Sequence, residues 1–170
     1  LKPDTISSDL LLVVADATLY HFGVLSSAMH MAWVRQVCGR LESRYRYSAK
    51  LVYNNYPWPL SPSGPQRGAV ETAAQEVLDL RVAFGDGRAG FLPTRKPSVD
   101  AATLADLYDP LAMPLALRKA HHELDRAVDR CYGIRPLTND RQRVEFLFGL
   151  YEQLAAPLLP QTKARHTRSG

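Results

Sequence analysis

The sequence predicts an α+β fold, predominantly α, with short strands in residues 1–60 and a small helical domain after them. Three observations predict it. A short, β-rich apolar run, Leu10 to Val14, is closed by Asp16 and reads as a buried strand. Leu60-Ser61-Pro62-Ser63-Gly64-Pro65 has the composition of a linker and places a boundary there. Beyond it, apolar residues recur at the 3-4 spacing of amphipathic helices.

Taken in order, Thr5 to Asp9 is turn chemistry, and Leu19 to Leu25 alternates loosely, which suggests a second strand. Ser26 or Ser27 then offers an N-cap. Met29, Trp33, Val37 and Leu41 recur every fourth residue and predict a helix with one core face, ending near Gly39. Leu51 to Tyr53 is β-prone. Pro57 and Pro59 forbid helix and push Tyr56 and Trp58 into extended geometry.

In the second half, Val70, Ala73, Ala74, Val77, Leu78 and Arg81 predict a helix ending near Phe84. Gly85 to Pro97 has no periodicity and reads as a mobile loop. Asp100 to Tyr108 reads as a short helix with Asp100 as its cap, followed by a turn through Pro110 and Pro114. Leu117, Ala120, Leu124, Ala127, Val128 and Cys131 mark a long helix, with Gly133 as its C-terminal cap. Thr138-Asn139-Asp140 opens the last helix, with Val144, Leu147, Tyr151 and Leu154 as its apolar face and Pro157 and Pro160 as its stop. Gln161 to Gly170 is polar and basic, a composition of disorder. The expected division is 1–60, 61–156 and a tail, 157–170.

The totals bound the function weakly. A chain of 170 residues can bury a real core. A net charge of +4 leans towards an acidic partner. Cys38 and Cys131 lie far apart in apolar-periodic segments, without a Cys-x-x-Cys or a Cys/His cluster. Two buried free thiols in a reducing cytoplasm fit better than a zinc site or a disulfide. No apolar run reaches the roughly 18 residues of a membrane span. The start at Leu1, almost directly before a strand-like run, reads as a piece of a longer protein.

Two motifs fail on context. Gly85-Asp86-Gly87-Arg88-Ala89-Gly90 has the letters of a dinucleotide-binding glycine motif, but that motif must follow a strand and open a helix. Here it follows a helix and leads into Phe91-Leu92-Pro93. His121 and His122 with Glu123 and Asp125 suggest a metal, yet adjacent helical residues point about 100° apart. His121 and Asp125 share a face at i, i+4, which predicts a surface pair. No nucleophile elbow, phosphate loop or paired-carboxylate arrangement is present.

The stretch with the inventory of a nucleic-acid surface is Arg35 to Lys50. Arg35, Arg40, Arg44, Arg46 and Lys50 stand with one acid, Glu42, among them, and Tyr45, Tyr47 and Tyr53 interleave. Arginine and lysine neutralise phosphates, arginine and asparagine can read base edges, and tyrosine can stack. A solvated basic face with tyrosines half packed into a core has the same composition, so both readings stand at this point.

A resemblance adds to this. Phe22-Gly23-Val24-Leu25-Ser26-Ser27, Met29-His30-Met31-Ala32-Trp33-Val34-Arg35, Cys38-Gly39-Arg40-Leu41, Tyr45-Arg46-Tyr47-Ser48 and Tyr53-Asn54-Asn55-Tyr56-Pro57-Trp58-Pro59 resemble the end of the target recognition domain of MmeI-like proteins. Those are adenine-specific DNA methyltransferases, often fused to a nuclease as type IIL restriction–modification enzymes. Leu104-Ala105-Asp106-Leu107-Tyr108-Asp109-Pro110-Leu111, Met113-Pro114, Leu117-Arg118, Ala120-His121, Asp125, Val128-Asp129 and Tyr132 resemble the small helical domain that closes them. Arg143-Val144-Glu145, Leu147-Phe148 and Leu150-Tyr151 fit the same domain. The resemblance covers about Asp9 to Leu154, and the segment Gly85 to Val99 looks longer than the family's usual connection.

The resemblance implies an incomplete recognition domain joined to a helical domain. It also implies an upstream methyltransferase domain of the same chain, holding S-adenosylmethionine and flipping adenine into an Asn/Asp-Pro-Pro-Tyr/Phe site. Asn55-Tyr56-Pro57-Trp58 is the nearest string here and lacks the paired prolines, so this fragment by itself carries no catalytic motif and no cofactor. Its expected partner is double-stranded DNA, in the cytoplasm, without a membrane or a metal. Arg35, Arg40, Arg44, Arg46 and Lys50 are the candidate phosphate contacts, with Tyr45 and Tyr47 beside them. Ser27, His30, Asn54 and Asn55 are candidates near base edges. The competing reading is structural, with Tyr56-Pro57-Trp58-Pro59 packing the recognition domain onto the helical one. A stand-alone hydrolase would need a pocket joining His21 or His30 to Cys38 and an acid.

Overall fold

The computed structural model describes residues 12–42, 44–85 and 103–158. Within them the architecture is helical, with one small antiparallel ribbon. Helix α1 is Leu19–Leu25 and α2 is Ala28–Val37. Strands β1, Gly39–Leu41, and β2, Arg44–Arg46, form a hairpin, and a π-helical turn occupies Ala49–Tyr53. Helices α3, Gly64–Phe84, α4, Leu104–Leu107, α5, Leu115–Cys131, and α6, Asp140–Ala155, complete the set.

Caps explain most of the boundaries. The Ser27 hydroxyl oxygen accepts the His30 amide at 3.4 Å and opens α2. Ser63 and Gln66 form a reciprocal capping box, so part of the expected linker is the start of α3. Thr103 and Asp106 do the same for α4, and Asn139 accepts the Gln142 amide at 3.0 Å to open α6. Gly133, at φ 72°, follows α5 in the left-handed conformation that glycine adopts without a Cβ clash.

Several expectations are corrected. Leu19–Leu25 is a helix, not a strand: Tyr20, Gly23 and Val24 are buried at i, i+3, i+4, and seven residues are too few to separate the two periods. Leu12 to Val14 belong to no strand among the described residues. Leu41 is 66% exposed, because α2 stops at Val37 and the chain turns into the hairpin. Leu51 to Tyr53 is helical; Ser48 caps the turn at its start, and Trp33 Nε1 donates to the Val52 carbonyl at 3.1 Å. On α6, Leu147 is buried but Tyr151 and Leu154 are exposed. Leu10, the expected cap Asp100, nearly all of the segment Gly85 to Val99 and the tail from Gln161 lie outside the described residues.

Three packings build the core: α1 on α3, α3 on α5, and α2 on α6. Val24, Met29, Val70, Val77, Leu117, Leu124, Val128 and Leu147 are fully buried in one cluster, which draws on both sides of the proline-rich break. Removing such a side chain from water contributes about 1.5–3 kcal/mol each. The turn between α5 and α6 is held by a buried ion pair. Asp129 Oδ2 accepts the Leu137 amide at 2.8 Å and stands 3.4 Å from Arg143 Nη2, which donates to the Leu137 carbonyl at 2.8 Å. Burial pushes the Asp129 carboxyl up, against the pull of the Leu137 amide and Arg143.

Gly23 sets how closely α1 approaches α3 and α5. A Cβ there would lie 2.6 Å from Val70 Cγ1 and 3.2 Å from both Ala74 Cβ and Leu124 Cδ1. Gly23→Ala is therefore expected to destabilise the chain by about 1–3 kcal/mol through overpacking. Chemical denaturation checks this, and Gly23→Ala with Val70→Ala should be less unstable than the two single changes summed.

Candidate nucleic-acid interface

The basic stretch folds as the hairpin and the turn that follows it. Gly39 pairs with Arg46, Arg40 with Tyr45 and Leu41 with Arg44. Opposed residues share a face, so Arg40 and Tyr45 lie on one side of the ribbon, and Leu41, Arg44 and Arg46 on the other. All six strand residues are exposed. The loop reverses through Glu42, which has φ 57°, a conformation that disfavours any residue with a Cβ.

On the first face, the Arg40 guanidinium sits 4.6 Å from the Tyr45 ring centroid, and its Nη2 donates to the Tyr45 hydroxyl at 3.4 Å. On the second, Arg44 Nη2 lies 3.5 Å from Glu42 Oε2 with both side chains largely in solvent, a pairing that holds the cation weakly. Arg46 and Lys50 are exposed, as is Asn54 at the end of the π-helical turn.

The other candidates do structural work. Ser27 is fully buried, and its hydroxyl donates to the Val24 carbonyl at 2.7 Å. His30 is buried, its Nε2 lies 3.0 Å from the Tyr47 hydroxyl, and its ring meets Tyr56 edge-on at 4.6 Å. Burial lowers the His30 pKa to about 4 and raises that of the Tyr47 hydroxyl to about 12, so the pair is neutral at pH 7. Arg35 is paired with Asp140 and ties α2 to the start of α6. Asn55 Nδ2 donates to the Lys50 and Leu51 carbonyls at 2.7 and 3.2 Å and closes the turn. The structure thus gathers Arg40, Arg44, Tyr45, Arg46, Lys50 and Asn54 in solvent. It withdraws Ser27 and His30 from contact with any base edge.

Beside the hairpin lies a cavity of about 750 Å³, lined mainly by Leu12 to Ala15, Leu25, His30, Met31, Val34, Tyr45, Tyr47 and Tyr53. Among the described residues, neither Cys38, nor His21, nor an acid lines it. Cys38 and Cys131 are free and buried. His121 and Asp125 are not the exposed pair that their spacing suggests. Tyr108 bridges Arg81 and His121, taking the Arg81 Nε donor at 2.7 Å and lying 2.6 Å from His121 Nε2. Asp125 Oδ1 accepts the Ala28 amide at 2.7 Å, at the N-terminus of α2. No group of three metal-ligating side chains occurs among the described residues.

Sequence reasoning missed Asp125 and Tyr132 as organisers of this surface. The Tyr132 hydroxyl lies 2.7 Å from that of Tyr56 and 3.0 Å from the Pro57 carbonyl, and so fixes the segment after the turn from α5. Both contacts span more than 70 residues of chain, and no local pattern encodes them.

The model of the MmeI target recognition domain matches residues 1–60, and that of the MmeI C-terminal domain matches residues 63–159. DNA methyltransferase A of Bacillus subtilis (strain 168) is 41% identical over 151 residues, covering 89% of this chain and 15% of that protein. The type IIL restriction–modification enzyme MmeI, solved in complex with DNA, is similar with a TM-score of 0.68 and 43% identity, over 83% of this chain and 17% of that one. The chain therefore spans under a fifth of the length of either relative.

The neutral, buried His30 generates a pH dependence. Its folded pKa, about 4, lies below the ordinary 6.5, so the unfolded chain binds the extra proton between these values. The ring's contribution is complete above pH 6.5 and is lost as pH falls towards 4, by at most about 1.4 kcal/mol per pH unit. Denaturation midpoints across this window should fall less steeply in His30→Phe than in the parent chain.

Proposed function

We propose a role from the premise that this chain belongs to the MmeI family, of which it carries the end of the target recognition domain and the C-terminal domain. The β1–β2 hairpin grips a DNA duplex, with Arg40, Arg44, Arg46 and Lys50 on phosphates and Asn54 positioned to reach a base edge. The observation that carries this is the exposure of both faces of a ribbon holding three arginines. Cations with weak partners or none can release the counterions of the nucleic-acid backbone, which is the main source of affinity for DNA. Tyr45, stacked under Arg40, offers an aromatic face beside them.

In the longer protein, the duplex held here is presented to a methyltransferase domain that modifies adenine at N6. The target amine is paired inside the duplex, so the base must be flipped out to react. S-adenosylmethionine supplies the methyl group and is bound by that other domain. Residues 1–60 serve recognition and 61–156 brace them, with 157–170 as a basic extension. Acting on cellular DNA places the protein in the cytoplasm; no described helix is long and apolar enough to cross a membrane.

A structural role fits Tyr56 to Pro59. Tyr56, Pro57 and Pro59 are buried, Tyr56 is bonded to Tyr132, and Trp58 meets His21 edge-on at 5.8 Å. Within the recognition part this segment packs on α1, and through Tyr132 it is held to the end of α5, while the hairpin remains outside.

Duplex binding by this chain across a salt series tests the proposal. Arg44→Gln with Arg46→Gln is expected to weaken binding and to flatten the plot of log affinity against log salt by about two units. An unchanged slope would remove the hairpin from the interface.

A further inference from the structure

We infer that the outer face of α5 is a second phosphate-binding surface for a nucleic-acid duplex, made by Arg118, Lys119, Arg126 and Arg130. This rests on the reading of the chain as a DNA-binding part and adds a contact in the helical domain. The helix looks balanced in sequence, with these four cations against Glu123, Asp125 and Asp129. Folding separates the charges. Asp129 is 1% exposed and engaged with Arg143 and the Leu137 amide. Asp125 turns to the α2 N-terminus, where it accepts the Ala28 amide. The four cations are all exposed, with Glu123 the one acid among them, 3.2 Å from Arg126.

The cations share a sector. At 100° per residue, Arg126, Lys119 and Arg130 fall within about 40° of the helix circumference, opposite Leu117, Leu124 and Val128; Arg118 lies about 80° from Arg126, near the start of the helix, and the buried Asp129 falls between them in angle near its end. From Arg118 to Arg130 the stripe runs about 18 Å at 1.5 Å per residue. A solvated helix face ordinarily mixes both signs. The neighbouring α3 carries acids, Glu71, Glu76 and Asp79, while its Arg67 and Arg81 lie over the rings of Tyr20 and of Phe22 and Tyr108. Charge is thus sorted by helix, the footprint expected of a surface that meets a polyanion. The hairpin lies at the far end of α2 from the Ala28–Asp125 contact. Ten residues of helix, about 15 Å, separate the two, less than the roughly 34 Å of one duplex turn.

The test is a salt series with random-sequence duplex DNA on this chain, on Arg118→Gln/Lys119→Gln/Arg130→Gln, on Arg44→Gln/Arg46→Gln, and on Glu123→Gln. Glutamine keeps helix propensity close to that of the residues it replaces, and far-ultraviolet circular dichroism verifies the fold. The triple α5 variant is expected to flatten the slope by about two to three units. Glu123→Gln, which removes the one acid on the face, is expected to tighten binding about two-fold or more at low salt. If the hairpin variant flattens the slope while neither α5 change moves it, the α5 surface is overturned and the hairpin reading stands; the face then suits an acidic protein partner instead. If the parent chain shows no salt-sensitive binding, both fall.

Discussion

The contact between the Ala28 amide and the Asp125 carboxylate joins the two parts of this chain. A helix N-terminus leaves amides without partners and carries partial positive charge, and a carboxylate is the complementary group. Asp125 supplies it from the middle of α5, while the hydroxyl of the buried Ser27, the residue just before α2, completes the cap. Once the start of α2 is fixed on α5, Met29 and Trp33 enter the shared core and Arg35 reaches Asp140 at the start of α6. The hairpin emerges from the other end of the same helix, so its direction in space depends on this docking.

Buried polar groups near the hairpin serve as its footing. His30 and Tyr47 form a neutral pair at the base of the ribbon. Tyr56 and Tyr132 join hydroxyls between the segment after the π-helical turn and the end of α5. Trp33 takes the Val52 carbonyl, and Asn55 closes the turn on two carbonyls. The bonds of Trp33, His30 and Tyr56 satisfy buried groups that would otherwise be stranded away from water, while those of Asn55 lie at the surface.

The same logic of satisfied burial shapes the electrostatics. Carboxylates on α5 are drawn inward, one to a helix N-terminus and one to a buried arginine and a loop amide. What the core uses, the surface loses, and the outer face of α5 is left cationic. Arg67 and Arg81 go the other way, laid over aromatic rings of the α1 and α4 regions, and α3 keeps its acids outside. A net charge of only +4 therefore conceals strongly uneven surfaces.

Much of the scaffold was legible because it is locally encoded. The 3-4 spacing of Leu117 to Cys131 and of Val70 to Val77 marks buried faces that the structure keeps, and Ser27, Asn139 and Gly133 mark ends. Leu19 to Leu25 misled because seven residues fit either period, and Leu51 to Tyr53 because a buried indole contact outweighs β propensity. The basic, tyrosine-rich stretch and its resemblance to MmeI-like recognition domains were also present in the residues. By itself, then, the sequence determined the helices of the second half, their caps, the family and the cationic stretch. Only the tertiary structure decided which of those side chains face solvent. That outcome depends on partners such as Asp125 for Ala28, Asp140 for Arg35 and Arg143 for Asp129, and the desolvation of a charge is settled by what packs around it, not by its neighbours along the chain.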